Sequence, residues 1–178
     1  MSITAFENLM SAAERRMLMS GEQNTCIRMS DFLGTIPAIN GKVELVYEGE
    51  QEGAEQVSFY LINQAVKTLF PAYFPEIKKL EKQDEEGPYD QLLGWFYGDN
   101  ELFLEDNLPD NVYHDTLMNV PNLKILIATH QADCPREDLF FMMEFLLWGL
   151  EANKKLNKYR TMEGFQFKDG LGNLLAGI

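Results

Sequence analysis

The chain is short of the residues that carry most metal, thiol and redox chemistry. Its 178 residues include two cysteines, Cys26 and Cys134, and two histidines, His114 and His130. Two cysteines so far apart make no disulfide scaffold. With an amphipathic, charged N-terminus (MSITAFENLMSAAERR) in place of an apolar leader, they predict a reducing, cytoplasmic compartment and two free thiols. No Glu-x-x-His, Cys-x-x-Cys or His-Glu-x-x-His occurs, so the di-iron bundle pattern and the common zinc signatures are missing. His130 and Cys134 are four apart, but Pro135 interrupts a continuous helix there, and both histidines read as ordinary polar helix residues.

Basic residues are also scarce. Fifteen Lys and Arg stand against 28 Asp and Glu, a formal net charge of -13. That argues against non-specific nucleic-acid binding, which needs a surplus of cations, and disfavours anionic membranes. No apolar run reaches the length of a membrane span; the longest, around Leu139 to Leu150, is broken by Glu144 and Gly149.

What is present is ordinary globular material, 46% apolar with twelve Phe, seven Tyr and nine Met to fill a core. Helical patterning dominates. Thr4 and Glu7 fit a capping box, and Phe6, Leu9, Met10, Ala13 and Met17 share one face ending at Gly21. Ser30 is a candidate cap for a second helix, DFLG, limited by Pro37. AEQVSFYLINQAVKTLF carries a broad apolar face of Val57, Leu61, Ala65 and Leu69, flanked by Tyr60 and Ile62. The charged stretch EIKKLEKQDEEGPYD marks a soft subdomain boundary near residue 80. Helices are expected after Pro88, Pro109, Pro121 and Pro135. The last has Glu137 and Asp138 in its first turn and Lys154, Lys155 and Lys158 towards its end. VELVY is a candidate short strand. The expected fold is mainly α, about seven helices, with subdomains at 1–80 and 81–178.

Candidate chemistry is thin. GTIPAINGKV looks at first like a phosphate loop, but six residues separate Gly34 from Gly41, and Val43 follows Lys42 where Ser or Thr would hold magnesium. Glu44 and Glu48 are one helical turn apart, yet two carboxylates alone make a poor metal site. No serine lies in a Gly-x-Ser-x-Gly turn, neither cysteine has neighbours that would activate it, and Trp95 and Trp148 read as core. No catalytic, cofactor-binding or metal residue is therefore assigned. The acidic stretch EGEQEG reads as a solvated break, with Glu44, Glu48, Glu50 and Glu52 as a possible electrostatic interaction surface.

Longer stretches carry a resemblance. ITAFENLMSAAERR, RMSDFLGTIPAINGKVELVYEGEQEG, LINQAVKTLFPAYFPEIKKLEK and FLLWGLEANKKLNKYR with GFQFKDG are together similar to the C-terminal portion of the magnesium chelatase subunit I-like ATPases, AAA+ proteins related to the MoxR group. The GKVELVYEGEQEG run is the most specific part, and 84–133 matches least. The resemblance implies a helical bundle like the later helices of an AAA+ lid, followed by a C-terminal helical extension. It implies that ATP and magnesium belong to a parent protein whose Walker A, Walker B, sensor and finger residues lie outside this chain, which by itself is no enzyme and holds no cofactor. The expected role is to couple nucleotide state to the ATPase core, neighbouring subunits or a client protein. The alternative is a free-standing helical adaptor that binds a protein through an apolar groove with an acidic rim. A third reading is a small helical enzyme using Glu44 and Glu48.

Overall fold

The computed structural model describes residues 2–40, 53–77 and 87–169. Helix α1 (Ser2–Ser20) is already under way at Ser2, so Thr4 lies inside the first turn instead of capping it. It stops where Gly21 takes a left-handed φ of 75°. The amides of Gly21 and Glu22 then turn back onto the carbonyls of Leu18 and Met17, as a glycine-terminated helix requires. A 3-10 turn over Met29–Thr35 leads into α2 (Ile36–Asn40), with Pro37 in the first turn of α2, where a missing N–H is harmless. Ser30 is not the cap expected there. The turn starts one residue earlier, and the Asp31 carboxylate accepts the Arg28 backbone N–H at 2.8 Å.

Helix α3 (Ala54–Leu69) ends in a 3-10 turn, Phe70–Ala72. Four further helices follow: α4 (Asp90–Tyr97), α5 (Asp110–Met118), α6 (Leu123–His130) and α7 (Leu139–Ala152). Helix α7 (LFFMMEFLLWGLEA) is apolar all round and accordingly runs through the core, every residue from Met142 to Leu150 being buried.

The largest departure from the sequence reading comes after α7. Lys154, Lys155 and Lys158 are not on the helix. Lys154 adopts a left-handed φ of 62°, and the amides of Lys154 and Lys155 bond back to Glu151 and Leu150, so the helix closes as it would at a glycine. The chain then forms strands β2 (Leu156–Arg160) and β3 (Gly164–Asp169), and β3 also pairs with β1 (Leu102–Glu105). The sheet is antiparallel in the order β1-β3-β2, and the central strand buries Phe165 and Phe167. A Cβ on Gly164 would meet the Leu104 carbonyl oxygen at 2.0 Å, so only glycine lets β1 close on β3.

The fold among the described residues is thus mainly α, seven α-helices and one small sheet. One apolar cluster runs from Met29 to Phe167 and draws on both sides of the expected boundary near residue 80, which itself falls on the undescribed 78–86. VELVY and the four glutamates Glu44, Glu48, Glu50 and Glu52 also lie outside the described residues.

Candidate functional site

Two features stand out, a buried charge cluster and an apolar groove. The cluster is built on α1. The face of α1 that packs inward carries Ala13 and Arg16, while Phe6 of the expected apolar face is 62% exposed. The reason is local. Arg16 is 3% exposed, and its guanidinium donates to both carboxylate oxygens of Asp31 (3.1 and 2.9 Å), to Thr25 Oγ1 (2.7 Å) and to the Cys26 carbonyl (2.6 Å). Fully served in this way, the cation can be buried and the rotation of α1 follows it.

Arg28 continues the cluster. Its Nη2 donates to Asp110 Oδ1 at 2.5 Å and its guanidinium carbon lies 4.0 Å from the Tyr113 ring centroid, while Nε and Nη1 are buried with no hydrogen-bond partner among the described residues. Glu144, 1% exposed at the middle of α7, accepts the Met29 amide at 2.9 Å and the Tyr113 hydroxyl at 2.7 Å. Burial raises the Glu144 carboxyl above its ordinary range although those donors and Arg28 pull it down. The Tyr113 hydroxyl is pushed well up by burial and by Glu144. These groups are enclosed and engage one another, so the cluster fastens α1, α5 and α7 together.

The groove is different, because it is open. It has a volume of about 690 Å³ and lies between α3 and α7. Ile62, Ala65, Val66 and Leu69 of α3 and Phe141, Met142 and Phe145 of α7 line it, together with Met29, Phe32 and Tyr73. Leu69 is 52% exposed and Tyr73 42%, so apolar surface is left facing solvent. Segment 130–138 closes one end with His130, Gln131, Asp133, Cys134 and Asp138. Gln131 fixes that end by donating to the Tyr73 carbonyl. Burial, and then Asp138 and Glu137, raise the Cys134 thiol above its usual value and keep it protonated near neutral pH, which makes it a poor nucleophile.

The sequence reading offered an apolar groove with an acidic rim as an alternative but assigned no residues to it, naming Ile62, Ala65 and Leu69 only as part of a helix face. The groove's signal was the breadth of the α3 face: Leu61 and Leu69 from the expected stripe, and Tyr60 beside it, all remain exposed. Of the other residues weighed for chemistry, His114 stacks on Phe140 with ring centroids 3.6 Å apart, and burial lowers its pKa. Trp148 is fully buried core, as expected. Cys26 is exposed, and Cys134 sits on the loop after α6, where the helix through His130 has already ended. Among the described residues no group of three or more His, Cys, Asp or Glu is placed to hold a metal ion, and no helix is long and apolar enough to cross a membrane. In comparisons with known proteins, no family model, no curated protein and no solved structure matches this chain.

Proposed function

We propose that this chain is a protein-docking domain, the non-catalytic C-terminal accessory part of a magnesium chelatase-like AAA+ ATPase of the cytoplasm, where it couples nucleotide state to a neighbouring subunit or a client. The observation that carries the docking role is the open groove of about 690 Å³ between α3 and α7, apolar along its walls and acidic at one end. The tie to an AAA+ parent rests on the sequence resemblance. ATP and magnesium would be held by the parent's core, and this domain would move with it as a rigid body. The same groove would equally serve a free-standing helical adaptor, the second reading.

A photo-crosslinking residue at Leu69, in the chain expressed in its source cells, tests the docking role. The same residue at Met162, which is fully exposed and lies outside the groove, is the control. The expected result is a Leu69-specific adduct whose partner peptides, read by mass spectrometry, come from an AAA+ core or a protein that co-purifies with one. An adduct to a protein unconnected with any ATPase would favour the adaptor. Equal labelling from both positions, or magnesium-dependent ATP turnover by the purified chain after a contaminant check, would overturn the proposal.

A further inference from the structure

Resting on the reading of the groove as a protein-docking site, we infer that its occupant is an amphipathic α-helix that carries basic residues at the end lying against Asp133 and Asp138. Shape is the first argument. Ile62, Ala65, Val66 and Leu69 on α3 follow the i, i+3, i+4, i+7 spacing of a helical stripe, and Phe141, Met142 and Phe145 on α7 repeat it from Asp138, the residue that precedes the helix. The two helices pack against each other, and their stripes flank a groove along the seam at helical pitch, which a third helix fills with side chains at the same spacing. Ala65 is the small residue in the α3 wall, which leaves room for an incoming side chain.

Charge is the second argument. Asp133 and Asp138 line the groove and Glu137 lies beside them, while no Lys or Arg is among the described residues that line it. Arg136 is on the same loop but outside the lining. The whole chain carries a formal charge of -13, so an acidic helix would be repelled both locally and at long range. A compact polar ligand fits less well, because the lining is mostly apolar and, Tyr73 apart, its polar side chains all come from the one segment 130–138.

Two labelled synthetic helices test this against the full chain by fluorescence anisotropy. They share leucine anchors at i, i+3, i+4 and i+7 and differ only in carrying Lys or Glu off that face. The lysine helix is expected to bind about tenfold tighter or more, as two rim ion pairs allow, with the difference shrinking as salt rises. Ala65→Trp, an exposed substitution that fills the groove, is expected to abolish binding of the lysine helix. Asp133→Lys with Asp138→Lys is expected to remove the preference. Circular dichroism confirms that each variant is folded, and Ala65→Ser, which leaves the groove open, is expected to bind like the parent.

Equal binding of the two helices, binding that survives Ala65→Trp, or no binding of either helix would overturn the inference. So would a chain that self-associates in light scattering and dissociates on Ala65→Trp, since the occupant would then be a second copy. If the Leu69 crosslink to an ATPase partner persists while neither helix binds, the docking role stands and the helical occupant alone is refuted.

Discussion

The Tyr113 hydroxyl donates to Glu144 Oε2 at 2.7 Å inside the core, and the same oxygen accepts the Met29 amide at 2.9 Å. One carboxylate oxygen therefore joins α5, the 3-10 turn and α7. Glu144 is held at a pKa above its ordinary 4.5 because burial outweighs its donors. The folded chain binds this proton more tightly than the unfolded chain does. The resulting stabilisation is complete below about pH 4.5 and is lost as pH rises through the folded value. Glu144→Gln keeps an oxygen for both donors and removes the titration. Its stability relative to the parent is expected to improve as pH rises from about 4.5 through the folded value and then to level off, read as the difference in denaturant midpoint. Groups such as His114 titrate in both proteins and cancel in that difference. A pH-independent difference would refute the argument.

Arg16 and Asp31 are 3% and 5% exposed and pair at 2.9 Å. Removing Arg16 leaves the buried Asp31 carboxylate without its cation, and removing Asp31 leaves Arg16 only the longer 3.5 Å pairing with Asp110, each a loss of about 3–5 kcal/mol. Arg16→Ala and Asp31→Ala are each expected to fall in that range by urea unfolding. The double variant is expected to cost far less than their sum, because the second change removes a charge the first has stranded. Additive losses would show that the two side chains stabilise the fold independently.

Gly149 lies against the Phe70 ring, and an added Cβ would fall 1.9 Å from Phe70 Cδ2. Alanine at a helix interior normally gains roughly 1 kcal/mol over glycine. Here Phe70 has no retreat, being 1% exposed and packed by Phe74, Tyr89 and Phe145. Gly149→Ala is expected to lose about 1–3 kcal/mol net, the usual cost of overpacking, and to lower the melting temperature. A higher melting temperature would mean that the ring moves aside freely.

Cys26 is exposed, yet partial burial, then Asp110, Asp138 and Glu137, hold its thiol above the ordinary 9.0. Its alkylation by iodoacetamide at pH 8 is expected to be slower than that of a free thiol such as glutathione, and to climb steeply as pH passes 9. Mass spectrometry of the labelled chain reads the rate. Alkylation as fast as glutathione's would contradict the electrostatic account.

Legibility in the sequence followed how local each cause is. Helix α7 was evident because Pro135 and two acidic residues lead into a long, mostly apolar run, and the end of α1 was evident at Gly21. The face of α1 was not, because Arg16 is buried by Asp31, fifteen residues away, and by the Cys26 carbonyl. The end of α7 was missed because Lys154 takes the left-handed position usually marked by glycine. Without that break, the alternation of Phe165 and Phe167 in β3 had no visible beginning. The groove was out of reach for a related reason. Its walls come from segments more than seventy residues apart, and its acidic end belongs to a third. The sequence drew attention instead to the glutamates between Gly41 and Gly53, which lie outside the described residues.

The charge cluster bears on how this chain comes together. Arg16, Arg28, Asp31, Asp110 and Glu144 belong to segments spread over most of the described chain, and Arg16, Arg28 and Glu144 each take at least one partner from a distant segment. A partly assembled intermediate would hold one or two of these charges in a half-formed interior without their counterparts, at a cost that grows as water leaves. Docking of α1 is thereby tied to this cluster: Arg16 brings the cation that the buried Asp31 carboxylate needs and reaches Asp110, while the apolar cluster itself begins at Met29. Loss of the N-terminal helix would strand a buried charge at the edge of the core, a cost that simple fraying of an end does not carry.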